Sequence, residues 1–167
     1  MKKYFSVAVF TIMMAAPMFL TSCGDDDLVP DDNQEQVMTE WTEPFHVKNS
    51  SVEEVKTYMA SSMKSHRLVA ENATADNIQL AYSTSNANVG VLYSFSTLTG
   101  QLYSIIDTEL TVNSPVVLSF LQNHYSVISS DKPSLQYCFT TPDRSMVITT
   151  VLYLLQTYTF MLISLTL

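Results

Sequence analysis

The sequence is short of glycine, of basic residues and of cysteine, and each shortage closes off a class of activity. Its three glycines, Gly24, Gly90 and Gly100, stand too far apart to build a loop whose backbone cradles a phosphate. Eight Lys and Arg against sixteen Asp and Glu leave a net charge of −8. No basic stripe is left to meet a phosphate backbone, so no nucleic-acid partner is expected. His46, His66 and His124 are scattered, no H-E-x-x-H or H-x-E pattern occurs, and no serine sits in G-x-S-x-G. Outside the stretch before residue 44, paired acids occur only at Glu53-Glu54, where a helix start explains them better than acid–base work. The expectation is a protein that is not an enzyme, with no catalytic residues, no metal ligands and no cofactor.

What is present begins at the N-terminus. Lys2 and Lys3 precede an uncharged, mostly apolar run over residues 4–20, and small residues then lead into a cysteine. This is the three-part layout of a secretory signal. The motif Leu20-Thr21-Ser22-Cys23 resembles the bacterial lipobox. The resemblance implies that the Cys23 sulfur receives a diacylglyceryl group, that the chain is cut before Cys23, and that the new amine is acylated. An uncleaved membrane helix is the competing reading, but the run is at the short limit for spanning and acids rather than a basic cluster follow it. Several acyl chains on one residue, at ~0.8 kcal/mol per buried methylene, hold a protein firmly where a single chain does not. With Cys23 lipidated, Cys138 is the only other cysteine, so no intramolecular disulfide can form. Cys138 lies in the alternating run Leu135-Gln136-Tyr137-Cys138-Phe139 and reads as a small packed side chain, not a nucleophile.

Charge is unevenly placed. Residues 25–43 hold eight of the sixteen acids and no Lys or Arg, whereas the chain from Pro44 onward carries eight acids and six bases. The acidic balance therefore belongs to a self-repelling, extended tether over residues 23–43. Gly24-Asp25-Asp26-Asp27 is similar to the acidic export signal of Bacteroidetes lipoproteins. That similarity implies display on the outer face of the outer membrane; a plain spacer on a periplasm-facing lipoprotein is the alternative. Removing a signal of residues 1–22 from 167 leaves 145, enough for one domain over residues 44–167 but not for two large ones.

Within that domain Ser50 or Ser51 can cap a helix whose Val52, Val55, Tyr58, Met59 and Met63 recur at helical spacing. Runs rich in β-branched and aromatic residues follow at 67–70, 78–84, 89–95 and 102–110, with turn signals at Asn86-Ala87-Asn88 and Thr97-Leu98-Thr99-Gly100. Then the pattern repeats. Residues 78–84 line up with 135–141, 57 positions on; Val91-Leu92-Tyr93 returns as Val151-Leu152-Tyr153, and 101–106 as 156–161. Ser114-Pro115 opens a second helix carrying Val117, Leu118, Phe120, Leu121 and Tyr125. The fold class expected is α+β: two tandem units, about 50–110 and 113–167, each a helix plus an antiparallel meander, forming one sheet with helices on one face. The same repeat argues that residues 145–167, which carry no charge and are long enough for a membrane helix, form two strands instead.

Signal, acidic tether and duplicated units together resemble the small lipoproteins of gut Bacteroidetes, and the architecture is loosely similar to the β-lactamase-inhibitor-protein and PepSY-like folds. Those likenesses carry over no functional residue except the lipidated Cys23. One sheet face should meet the helices, and Ile78, Leu80, Tyr82, Leu135, Tyr137 and Phe139 are assigned to it. On the other face Leu92, Tyr103, Ile105, Tyr158, Phe160 and Leu162 form a candidate interaction surface, unless the register is shifted by one and some of them turn inward. The function expected is a lipid-anchored, non-catalytic envelope protein that binds a protein or peptide through its sheet. A glycan-capturing accessory lipoprotein, with Trp41 and the tyrosines as stacking surfaces, is the alternative.

Overall fold

A computed structural model of the chain describes residues 38–131, 136–152 and 158–165. The expected signal, Cys23 and the tether up to residue 37 lie outside these, as does Leu135. Helix α1 (Val52–Ser62) starts where the capping pattern placed it: the Ser51 side chain accepts from the Glu54 amide, and the Glu54 carboxylate accepts from the Ser51 amide at 2.8 Å. Four antiparallel strands follow, β1 (Arg67–Ala73), β2 (Asn77–Ser83), β3 (Gly90–Ser96) and β4 (Leu102–Leu110). A single 3-10 turn, Thr111–Asn113, leads into α2 (Ser114–His124), whose N-cap is Asn113 and not Ser114. The second meander is β5 (Ser126–Asp131), β6 (Gln136–Thr140), β7 (Met146–Leu152) and β8 (Tyr158–Leu165). Pairing of β4 with β8 joins the two meanders into one eight-stranded sheet of order β1-β2-β3-β4-β8-β7-β6-β5.

The duplication extends to irregularities of the backbone. In the first unit the β1–β2 register skips Val69 between Leu68↔Tyr82 and Ala70↔Ala81; in the second, β5–β6 skips Ile128 between Val127↔Phe139 and Ser129↔Cys138. A bulge thus recurs at the same place in each unit, next to Tyr82 and Phe139, the pair that the sequence repeat had aligned. Farther along, the sequence alignment slips. Val91 pairs with Tyr82 as Ile148 pairs with Phe139, so the counterpart of Val91 is Ile148, not Val151. Tyr103 is itself the extra residue of a β3–β4 bulge, between Ser94↔Ser104 and Phe95↔Leu102, while Tyr158 pairs with Leu110. The two tyrosines do not correspond: the ladders make Thr159 the counterpart of Leu102, and Tyr103 is an extra residue that the described part of the β7–β8 ladder does not repeat.

Residues 145–167 contribute β7 and β8, and among the described residues no helix is long and apolar enough to cross a membrane. Directly paired residues of antiparallel strands project to the same face. Leu80, Tyr93, Ile105, Ile163, Ile148 and Phe139 pair in succession from β2 to β6, and all six are fully buried. Val55, Met59 and Met63 of the first helical segment and Val117 and Leu121 of α2 join the same core. Each such side chain contributes about 1.5–3 kcal/mol of burial. The assignment of Leu80, Tyr82 and Phe139 to the core holds, with Ile78 and Tyr137 packed at its margin.

Candidate functional site

Two places carry what chemistry the domain has: the second face of the sheet, and a segment that runs over the first. On the second face, Ala81, Leu92 and Ile106 pair in succession, Ile106 pairs with Leu162, and Thr149 links Leu162 to Cys138. The adjoining row runs Ser83, Gly90, Thr108, Phe160, Val151, Gln136. Neither row contains a charge, and Ala81, Leu92, Ile106, Thr149 and Cys138 are each half-buried in contrast to the closed core. Leu92 lies in the first of these rows and is half-buried, as is Tyr103, the extra residue of the β3–β4 bulge. Phe160, Leu162 and Tyr158 occupy register positions opposite Thr108, Ile106 and Leu110; their side chains lie outside the described residues.

Ile105 does not belong with them. It is fully buried, paired with Tyr93 on one side and Ile163 on the other, so the expected interaction face loses this member and gains Ile106. The error has a physical origin. Ile105 shares its face with Asp107 and Glu109, and a strand phase that carries two acids reads as turning toward water.

Those two acids are instead in the core. Asp107 and Glu109 are both buried. They sit beneath residues 38–45, which composition had assigned in part to the tether and which pack as an extended strap. Trp41 is only 3% exposed; its ring meets Phe120 of α2 edge-on at 5.1 Å, and its indole N–H donates to Asp107 Oδ2 at 3.2 Å. The Met38 amide donates to Asn113 Oδ1 at 3.0 Å, and the Asn113 side chain also hydrogen-bonds Glu109. The Tyr58 and Tyr125 hydroxyls both donate to Glu43, the first to its carbonyl and the second to its carboxylate. The Phe45 amide donates to the Tyr93 hydroxyl, which in turn donates to Met59 Sδ at 3.3 Å. The domain boundary expected at residue 44 therefore moves back to at least residue 38.

Electrostatically the pair is unusual. Burial raises the Asp107 carboxyl well above the usual range and the neighbouring Glu109 raises it further, against the opposing hydrogen bond from Trp41. Burial likewise raises Glu109, to about 7, opposed by its bond from Asn113. Asp107 Oδ1 and Thr150 Oγ1 are buried and make no hydrogen bond. Burial also raises the Tyr93 hydroxyl far above its ordinary value. His66 is lowered by burial and stands apart from these groups at the start of β1. Among the described residues no cluster of His, Cys, Asp and Glu could hold a metal. Sequence reasoning missed the acid pair; the one signal it left was a lone Trp just ahead of the first helix, paired with acids on a strand otherwise made for a core. No family model matches the chain, and neither a curated protein nor a solved structure matches it.

Proposed function

We propose that this protein is a lipid-anchored, non-catalytic component of the bacterial cell envelope that holds a protein or peptide partner on the second face of its sheet. The observation that supports the reading is the pair of charge-free rows, one through Leu92, Ile106 and Thr149 and the other through Gly90, Thr108 and Val151, which span the sheet while the opposite rows are committed to the core. A wide, uncharged, partly apolar surface of β-branched and hydroxyl side chains suits a partner that also offers apolar and backbone groups. Trp41 is buried against Phe120 and Asp107, which removes the main stacking surface from the glycan-capturing alternative.

The anchor rests on the Leu20-Thr21-Ser22-Cys23 motif. Mass spectrometry of the membrane-extracted protein should give an acylated N-terminal Cys23, and Cys23→Ala should release or misprocess it; an unmodified Cys23 overturns the anchor. The binding role is tested by Leu92→Lys and Ile106→Lys. Each places a charge on the second face without touching the core, and should abolish capture of a partner that the wild-type chain retains while leaving the far-UV spectrum unchanged. Capture that survives both substitutions overturns the assignment of this face. Surface display is tested by adding protease to intact cells. Loss of the body while a periplasmic control survives supports it, and Asp25, Asp26 and Asp27 replaced by Ala should abolish that loss.

A further inference from the structure

The two units make an internal comparison available. In the first unit Val91 of β3 pairs with Asp107; in the second, Ile148, which stands where Val91 stands, pairs with Ile163. The fold therefore takes an isoleucine at this position, and the carboxylate in unit one is not required by the architecture. Asp107 is also where Trp41 crosses the sheet, and Glu109 is tied through Asn113 to the Met38 amide. The acids are placed where the strap is.

We propose that residues 38–45 are a releasable clasp, held against the helix-side core by Asp107 and Glu109 in their uncharged forms and let go when that pair ionises. The physics follows from burial. A neutral carboxyl accepts from the indole N–H and from the Asn113 amide at little cost, whereas two carboxylates two residues apart on one strand face, in a core of low polarity, repel each other and lack solvent. Lifting the strap is the local route to water, since the Trp41 indole is bonded directly to the buried Asp107 carboxyl. No cation compensates the pair from within the contacts described. The strap contributes Trp41, the Glu43 carboxylate and, 3.7 Å from it, His46; α1 contributes Tyr58, β3 Tyr93, β2 Tyr82, and the end of α2 Tyr125 and His124. Burial holds the tyrosines protonated and Tyr125 already donates to Glu43, so Glu109 is the carboxyl on this face whose charge changes near neutrality. The linkage has one sign: Glu109 is raised from 4.5 to about 7, so the closed strap is favoured at acid pH and lost as pH rises through about 7.

Trp41 is the only tryptophan, so its fluorescence reports the strap alone. In the full chain, the emission maximum should be short at roughly pH 5 and move to longer wavelength, with increased quenching by acrylamide, on titration toward roughly pH 9. The far-UV sheet signal should stay constant, which separates release from unfolding. The double variant D107N/E109Q should keep the short-wavelength emission throughout. If that variant does not fold, Glu109→Gln alone decides: the midpoint must move by more than one pH unit, and an unchanged midpoint overturns the proposal. A flat wild-type profile, a shift reproduced in the double variant, or a shift that occurs only with loss of the sheet signal each overturns it as well.

Discussion

At Gly90 the sheet admits no side chain. A Cβ built there would lie 2.1 Å from the Tyr82 carbonyl oxygen, a backbone atom of the neighbouring strand that cannot swing aside. Gly90→Ala should therefore destabilise the domain by about 1–3 kcal/mol or more, read as a lower denaturation midpoint at unchanged m-value. Ser51→Ala removes the reciprocal cap of α1 and should cost about 1 kcal/mol. The pH dependence of stability belongs to the same scale. Because the folded Glu109 carboxyl is raised, the native state binds more protons than the unfolded chain between 4.5 and about 7, so global stability should fall across that window. Glu109→Gln should flatten the fall in urea titrations at different pH values.

Among elements, legibility depended on whether a residue's neighbours in sequence shared its environment. The core positions Leu80, Tyr82 and Phe139 could be read because strict alternation and the second copy agreed. Strand β4 could be bounded but not turned the right way round, since Asp107 and Glu109 make the buried phase of that strand resemble an exposed one. The β3 counterpart was displaced by three residues because the apolar run of β7 offers several matches, and only its pairing with β6 chooses among them. The strap was hidden for a different reason: an acidic segment with few apolar residues looks solvated, and one Trp and one Phe carry its packing. Among these elements β8 holds the most exposed structural role. It lies between β4 and β7, so truncation that removes Tyr158–Leu165 should split the sheet at its middle. Gel filtration and far-UV spectra of such a protein should show aggregation or loss of the second meander, whereas a folded, monodisperse product would contradict the central position of β8.

On the scale of the whole domain, the arrangement β1-β2-β3-β4-β8-β7-β6-β5 puts the strand that follows each helix, β1 after α1 and β5 after α2, at an outer edge and the last strand of each meander, β4 and β8, at the seam. The outer strands are open to solvent along nearly their full length, and each has a bulge with paired apolar residues, Leu68 and Val69 in β1, Val127 and Ile128 in β5. Bulges twist an edge away from straight pairing and discourage addition of a foreign strand. The seam has a consequence for the order of events during synthesis. While the chain emerges, β4 offers an unpaired edge that its own meander cannot satisfy, and the contact that closes it spans the entire second unit. Such a late, long-range closure slows folding and keeps the nascent chain open. That delay places the commitment to the native state at the moment β8 arrives.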